Sequence, residues 1–327
     1  MSFSRVNYGQ ETNADDVAQF LHNEIVGKTI VITGVSPSTL GSEFALTVSA
    51  HSPKLVVIAS RDTNKLNEVV KDINAKYPNV DVRTLQLDLA SLEASRKAGQ
   101  ELASWEDVEV IDVLVNNAGI MAVPYKESVD GFEFQFATNH LGHFVFTKQL
   151  MPKIIAAAKA GREPRIVNVS SSGHRTHGMN WEDVGFHGGK TYNMWDAYGQ
   201  SKTANILFSV ELAEKYGSQG LYSYSLHPGM CIGSNLGKHI PMQEIQDFLQ
   251  SDRAPEPDAD SIFKNLQQGV STHVVASFDP EIKGQNGEYL LDCKVGDDTR
   301  KKAYAMDKGN AKRLWELSEQ LTGDKYD

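Results

Sequence analysis

Short apolar, β-branched runs alternate with longer amphipathic stretches along this chain, and no other feature narrows its fold as far. The runs are 29–33 (TIVIT), 55–59 (LVVIA), 80–87, 111–115 (IDVLV), 165–170 (RIVNVS), 221–227 and 287–291. The early ones are apolar at consecutive positions, as strands covered on both faces must be. Between them, Leu66, Val69, Val70, Ile73 and Tyr77 fall at helical spacing and line up as one apolar stripe. Strands alternating with helices over most of a chain predict an α/β fold with a doubly wound parallel sheet of about seven strands and helices on both faces.

Two stretches interrupt the rhythm. Residues 174–195 are rich in Gly, His and aromatics, and 230–261 carry the polar, proline-containing SDRAPEPDAD. Long excursions from the carboxyl ends of strands enclose ligands in such sheets. They are therefore expected to be a substrate loop and a lid, with Ile240, Met242, Ile245, Phe248 and Leu249 as the lid's amphipathic face. Residues 28–327 read as one domain. Residues 1–27 read as an arm whose Val17, Phe20 and Leu21 pack a short helix on the body.

Acidic groups outnumber basic ones and set the net charge at −10. Such a surface repels nucleic-acid backbones and anionic lipid, so neither is an expected partner. Two cysteines, Cys231 and Cys293, are too few for a disulfide scaffold or a cysteine zinc site. No apolar run reaches the ~20 residues that span a bilayer, and no membrane anchor or address signal is visible. The expected location is the cytoplasm. His140 with His143, and His174 with His177, stand three apart, but no carboxylate joins either pair at ligand spacing, so no metal is expected.

The segment from Thr33 to Gly41 (TGVSPSTLG) follows the first strand and opens a helix. Glycine there lets a backbone approach a pyrophosphate lodged at a helix N-terminus, although a plain turn has the same composition. Arg61 follows the second strand, where an acidic residue would select NAD and an arginine offers a fork for a 2′-phosphate. Asp88 and Asn116 end the third and fourth strands. Tyr198 and Lys202 stand at i and i+4 and share one helix face. A tyrosine acid/base must bring its pKa down from about 10 towards about 7, and a neighbouring ammonium and a cationic nicotinamide favour its phenolate. Ser171 follows the fifth strand, and Asn139 lies in a helix interior, a mildly unfavourable place for an amide.

Taken in order, TG…G, NNAG, Asn139, Ser171 and Tyr198-x-x-x-Lys202 resemble the short-chain dehydrogenase/reductase family. TGVSP, ASRD, TNHLGHF, AYGQSK, LHPG and GEYLLDC resemble its retinol-dehydrogenase and WW-domain-oxidoreductase branch, fungal members especially. The likeness covers roughly residues 17–322. It implies a Rossmann-type fold and NADP(H)-dependent hydride transfer between a carbonyl and an alcohol of an apolar small molecule. Tyr198 would be the acid/base, Lys202 would lower its pKa and hold the nicotinamide ribose, and Ser171 would orient the carbonyl. Asn139 would hold a water linking Lys202 to solvent. Gly34, Ser36 and Leu40 would line the pyrophosphate turn, Arg61 would meet the 2′-phosphate, Asp88 the adenine, Asn116 the adenosine side and Pro228 the nicotinamide wall. A homodimer through the Tyr198 helix is one arrangement the resemblance allows, a lidded monomer the other. A nucleotide-binding sensor without turnover and an epimerase or dehydratase are the alternative functions.

The chain departs from the family pattern in its turn, where Thr39 replaces the middle glycine and the loop is one residue longer. A rebuilt turn, with the Ser36 and Ser38 hydroxyls replacing backbone donors, is expected. Ser234 is the nearest counterpart of the family's carboxamide-contacting threonine.

Overall fold

The apolar runs form strands where the sequence places them. The computed structural model describes residues 8–231, 236–254 and 262–326. Its strands are β1 Thr29–Thr33, β2 Leu55–Ser60, β3 Val82–Gln86, β4 Val113–Asn116 and β5 Arg165–Val169, then β6 Tyr222–His227, β7 Met230–Cys231, β8 Phe263–Lys264, β9 Tyr289–Leu291 and β10 Lys294–Val295. One sheet has the order β10-β9-β6-β5-β4-β1-β2-β3, while β7 and β8 pair separately. All pairings in the large sheet are parallel except the β9–β10 hairpin. The sheet thus has eight strands against the seven read from the sequence. The extra one, β10, is too short to carry a pattern, and it is turned by Asp292 and Cys293 at φ 50° and 63°, the left-handed pair that a two-residue hairpin turn requires.

Alternate residues of each inner strand feed opposite layers. Ile30, Ile32, Val56 and Ile58 pack with Phe44, Leu66, Val69, Ile73 and Val270 on one face. Val31, Val57, Leu114 and Ile166 pack with Leu102, Phe144, Leu150 and Phe208 on the other. Chain order reverses between β1 and β4, so their carboxyl ends open a crevice, the usual ligand position in such sheets.

Both ends of the chain pack on this body. The arm forms a helix, Ala14–Phe20, with Val17 and Leu21 buried in the first layer. Phe20 departs from expectation at 43% exposed, because one short helix can press only one stripe against the body. At the other end, helix Lys308–Thr322 covers helices Gly142–Lys159 and Met194–Tyr216. Trp315 packs on Phe144, Phe208 and Tyr326 at ring separations of 5.3, 5.8 and 4.4 Å. Asp324 pairs with Arg96 at 2.6 Å. Among the described residues no helix is long and apolar enough to cross a membrane.

Removing a buried aromatic costs its transfer energy plus the cavity left behind. Trp315→Ala is expected to lower unfolding stability by about 3–5 kcal/mol, read as a fall in the urea midpoint.

Candidate active site

The β1–helix turn is built from close backbone contacts. Gly34 has φ +76°, and a Cβ on it would lie 2.6 Å from Ala118 Cα. A Cβ on Gly41 would lie 2.7 Å from the Gly34 carbonyl oxygen. These two glycines let the turn sit against the 116–119 turn and let helix Leu40–Ser49 begin directly on it. Thr39 does not take a glycine-like conformation. It is extended at φ −120° and caps the helix in a reciprocal box with Ser42. The left-handed residue is Ser38, at φ 59°. The hydroxyl that ties the turn belongs to Thr39, which donates to the Ser36 carbonyl at 2.7 Å and accepts from the Ser36 N–H at 3.3 Å. Within the turn itself the tie is made by Thr39, because an extended N-cap threonine satisfies the first orphan donors of a helix.

The end of β5 is stitched to helix Met194–Tyr216, whose N-cap Asn193 accepts from the N–H groups of Trp195 and Asp196. Ser170 donates to the Lys202 carbonyl at 2.8 Å. Lys202 Nζ and Asn205 Nδ2 both donate to the Val169 carbonyl at 3.0 Å. This stitching brings Ser171 beside Tyr198, with a Cβ on Gly173 falling 3.4 Å from Ser171 Oγ. The Tyr198 ring lies so close over Gly173 that a Cβ there would be 2.8 Å from Cε1. Lys202 Nζ is 5.7 Å from the Tyr198 ring centre.

Asn139 completes the group from a π-turn, 137–141, set into the helical stretch that runs on as Gly142–Lys159. The wider turn explains how an amide is accommodated there, and π-turns recur at functional sites. Its Nδ2 donates to the Ile120 carbonyl and to Ser201 Oγ, each at 2.9 Å, and its Oδ1 accepts from the Ile120 N–H at 2.8 Å. Gly119 sits between this amide and the lysine: a Cβ there would be 3.2 Å from Lys202 Nζ and 3.3 Å from Asn139 Oδ1.

Ser36 and Leu40 lie on the turn and at the helix start beside Gly34. Arg61 is exposed just past β2, and its guanidinium has no ion-pair partner among the described residues. Asp88 Oδ1 accepts from the Ala90 N–H at 3.0 Å. Asn116 points inward instead, donating to Asn168 at 2.8 Å and Thr147 at 3.0 Å. Its side-chain amide nitrogen therefore braces β4 to β5. Pro228 precedes Gly229, which has φ +93° and is backed by Lys264, itself buried and paired with Asp292 at 2.6 Å. Ser234 lies outside the described residues.

The loop 174–195 divides its aromatics between two tasks. Phe186 and Tyr192 form the loop's own core, and the Tyr192 hydroxyl donates to the Val123 carbonyl at 2.7 Å. Trp195 stacks on Phe248 of helix Met242–Leu249 at 4.0 Å, and Arg253 pairs with Asp196 at 2.8 Å. These contacts border a cavity of about 490 Å³ with Tyr125, Met194, Glu244 and Asp247. His174 faces away from the cleft, donating to the Ser171 carbonyl at 2.7 Å and packing on Tyr289.

Burial governs both titrating groups. It pushes Tyr198 up to about 12, with the neighbouring Ser171 hydroxyl pulling the other way. It brings Lys202 down to about 8. The protein alone therefore does not lower the tyrosine; the sequence reading counted the neighbouring ammonium but not the loss of solvent. A lysine with a depressed folded pKa penalises the native state below that pKa, and the penalty fades as pH rises towards the unfolded value of about 10.4. Stability is thus expected to gain up to about 3 kcal/mol from Lys202 between pH 8 and 10.4. Lys202→Met removes that increment, as denaturant midpoints across the range will show.

The residues present fit a dinucleotide: a glycine turn at a helix start, an unpaired arginine past β2, and a buried ammonium with donors to spare beside a tyrosine. The comparisons agree with this geometry. The family model described as short chain dehydrogenase matches residues 28–244. The chain is 34% identical over 324 residues to the short-chain dehydrogenase TIC 32 B, chloroplastic, of Brassica napus, covering 96% of this chain and 94% of that protein. It is 34% identical over 304 residues to retinol dehydrogenase 13 of Mus musculus, covering 91% and 85%. A crystal structure of an uncharacterised protein from Mycobacterium paratuberculosis superposes with a TM-score of 0.70 at 28% identity, covering all of both chains. This chain belongs to the short-chain dehydrogenase/reductase family of nicotinamide-dependent oxidoreductases.

Proposed function

We propose that the chain is an NADP(H)-dependent reductase that converts a ketone or aldehyde of an apolar small molecule to the alcohol. The observation that carries this is Tyr198 brought beside Ser171 around Gly173, one helical turn from the buried Lys202, at the carboxyl end of β5. When bound, the nicotinamide supplies the hydride. Ser171 and Tyr198 would hold the carbonyl oxygen between their hydroxyls, and Tyr198 would give its proton to that oxygen. Lys202 replaces that proton through its place beside Tyr198. Asn139 keeps Ile120 and Gly119 in position around the ammonium, and the Gly119 site is where we place the relay water. Burial holds the resting tyrosine protonated, as a proton donor must be.

The NADP preference rests on Arg61, whose free guanidinium stands where a 2′-phosphate would lie. Gly34, Ser36 and Leu40 serve the pyrophosphate, Asp88 the adenine, and Pro228 the nicotinamide. The apolar substrate class rests on Trp195, Met194 and Phe248, since Trp195 lies one turn before Tyr198 on the same helix. The 174–195 loop and helix Met242–Leu249 border that side. We place the protein in the cytoplasm on its two free thiols. The outer face of the Tyr198 helix is covered by the chain's own residues 308–322, which favours a lidded monomer over a homodimer there.

Two variants test this with NADPH, NADH and a panel of aldehydes and ketones. Tyr198→Phe is expected to lose turnover by about 10³-fold or more while NADPH still binds. Arg61→Ala is expected to weaken NADPH by about 10–100-fold and leave NADH unchanged. Equal use of both cofactors by the wild type would overturn the assignment of Arg61.

A further inference from the structure

His143 takes no part in the chemistry above, yet it is fully buried and uses both ring nitrogens. Its Nδ1 lies 3.0 Å from the backbone carbonyl of Asn139. A carbonyl only accepts, so Nδ1 carries the proton. In the neutral ring Nε2 is then an acceptor, and it takes the hydroxyl hydrogen of Thr33 at 2.9 Å. With that hydrogen committed, Thr33 Oγ1 accepts from the backbone N–H groups of Asn117 and Ala118, each at 3.0 Å. Every donor direction along this path follows from its two ends. Burial also keeps the imidazole neutral, bringing it down to about 4.

The two ends of the path belong to different parts of the site. Asn139 lies in the π-turn, where its side chain clamps Ile120 and so places Gly119 beside Lys202. Thr33 directly precedes Gly34, the glycine whose backbone packs on Ala118. A π-turn has a nearby alternative: relaxing to a regular helix shifts its residues by one position, about 100° around the axis. Such a shift would turn the Asn139 amide away from Ile120 and Ser201. The only side chain bonded to the Asn139 carbonyl among the described residues is His143.

We propose that His143 is a positioning residue that locks the Asn139 π-turn to the nucleotide turn at Thr33-Gly34, so that one buried imidazole sets both the proton-transfer group and the cofactor seat. The proposal rests on the functional reading above. Its two halves separate by substitution. His143→Asn retains an N–H donor at the Nδ1 position and cannot reach Thr33. His143→Gln places an oxygen near the Nε2 position and leaves the Asn139 carbonyl without its donor. His143→Leu removes both bonds.

NADPH affinity, read by fluorescence titration without substrate, and kcat, read on the best carbonyl substrate, are expected to divide between the variants. His143→Asn should weaken NADPH by about ten-fold and keep kcat within about three-fold of wild type. His143→Gln should bind NADPH normally and lose about ten-fold in kcat. His143→Leu should lose both; if it fails to fold, the Asn and Gln pair still decides. Asn and Gln variants that unfold at lower temperature yet match the wild type in both readouts, or that each lose both in equal proportion, would overturn the positioning role. A wild-type protein that binds neither NADPH nor NADH overturns the functional reading itself, and this proposal with it.

Discussion

Lys202 carries an ammonium into the protein interior, and the surrounding architecture is arranged around that act. A buried charge is costly unless hydrogen-bonded. The Val169 carbonyl at the end of β5 supplies the bond, and the same carbonyl accepts from Asn205. Ser170 fastens the strand end to the helix at the carbonyl of Lys202 itself. Ser171 then has one place to go, against Tyr198. A single strand-to-helix seam therefore fixes three of the four expected catalytic side chains.

The fourth arrives through a different device. Asn139 reaches the site because its helix widens into a π-turn, and its amide is held three ways by Ile120 and Ser201. Beneath it, the centre of the sheet is polar where neighbouring strands are apolar. Asn116, Asn168, Thr147 and Ser209 bond one another across β4, β5 and two helices. This network ties β4 to β5 at their carboxyl ends. Asn116 belongs to this brace through its amide nitrogen.

The electrostatics of the site divide the work between protein and cofactor. Burial makes Tyr198 a firm holder of its proton and makes Lys202 a weak one. In the proposed reaction such a tyrosine stays loaded as a proton donor, and a bound cofactor's charge would favour its phenolate in the reverse direction.

The alternation of apolar runs by itself determined the layered α/β fold and the positions of the principal strands, because a strand buried on both faces has to be apolar throughout. The spacing of Tyr198 and Lys202 determined that they share a helix face, since helical geometry is local. Order along the chain singled out Ser171, Asn139 and the glycine turn as candidates. Tertiary structure alone decided what each side chain does there. Nothing local distinguishes Asn116, turned inward by partners on distant strands, from an asparagine facing a ligand. Thr39 breaks a glycine pattern, and only the folded turn shows that Ser38 takes the left-handed conformation in its place. His143 reads as an ordinary helix-packing residue until the fold sets Thr33, 110 positions away, against its ring. Hydrogen bonds between remote segments have no period and leave no local pattern, so they are decided only when the chain has closed on itself.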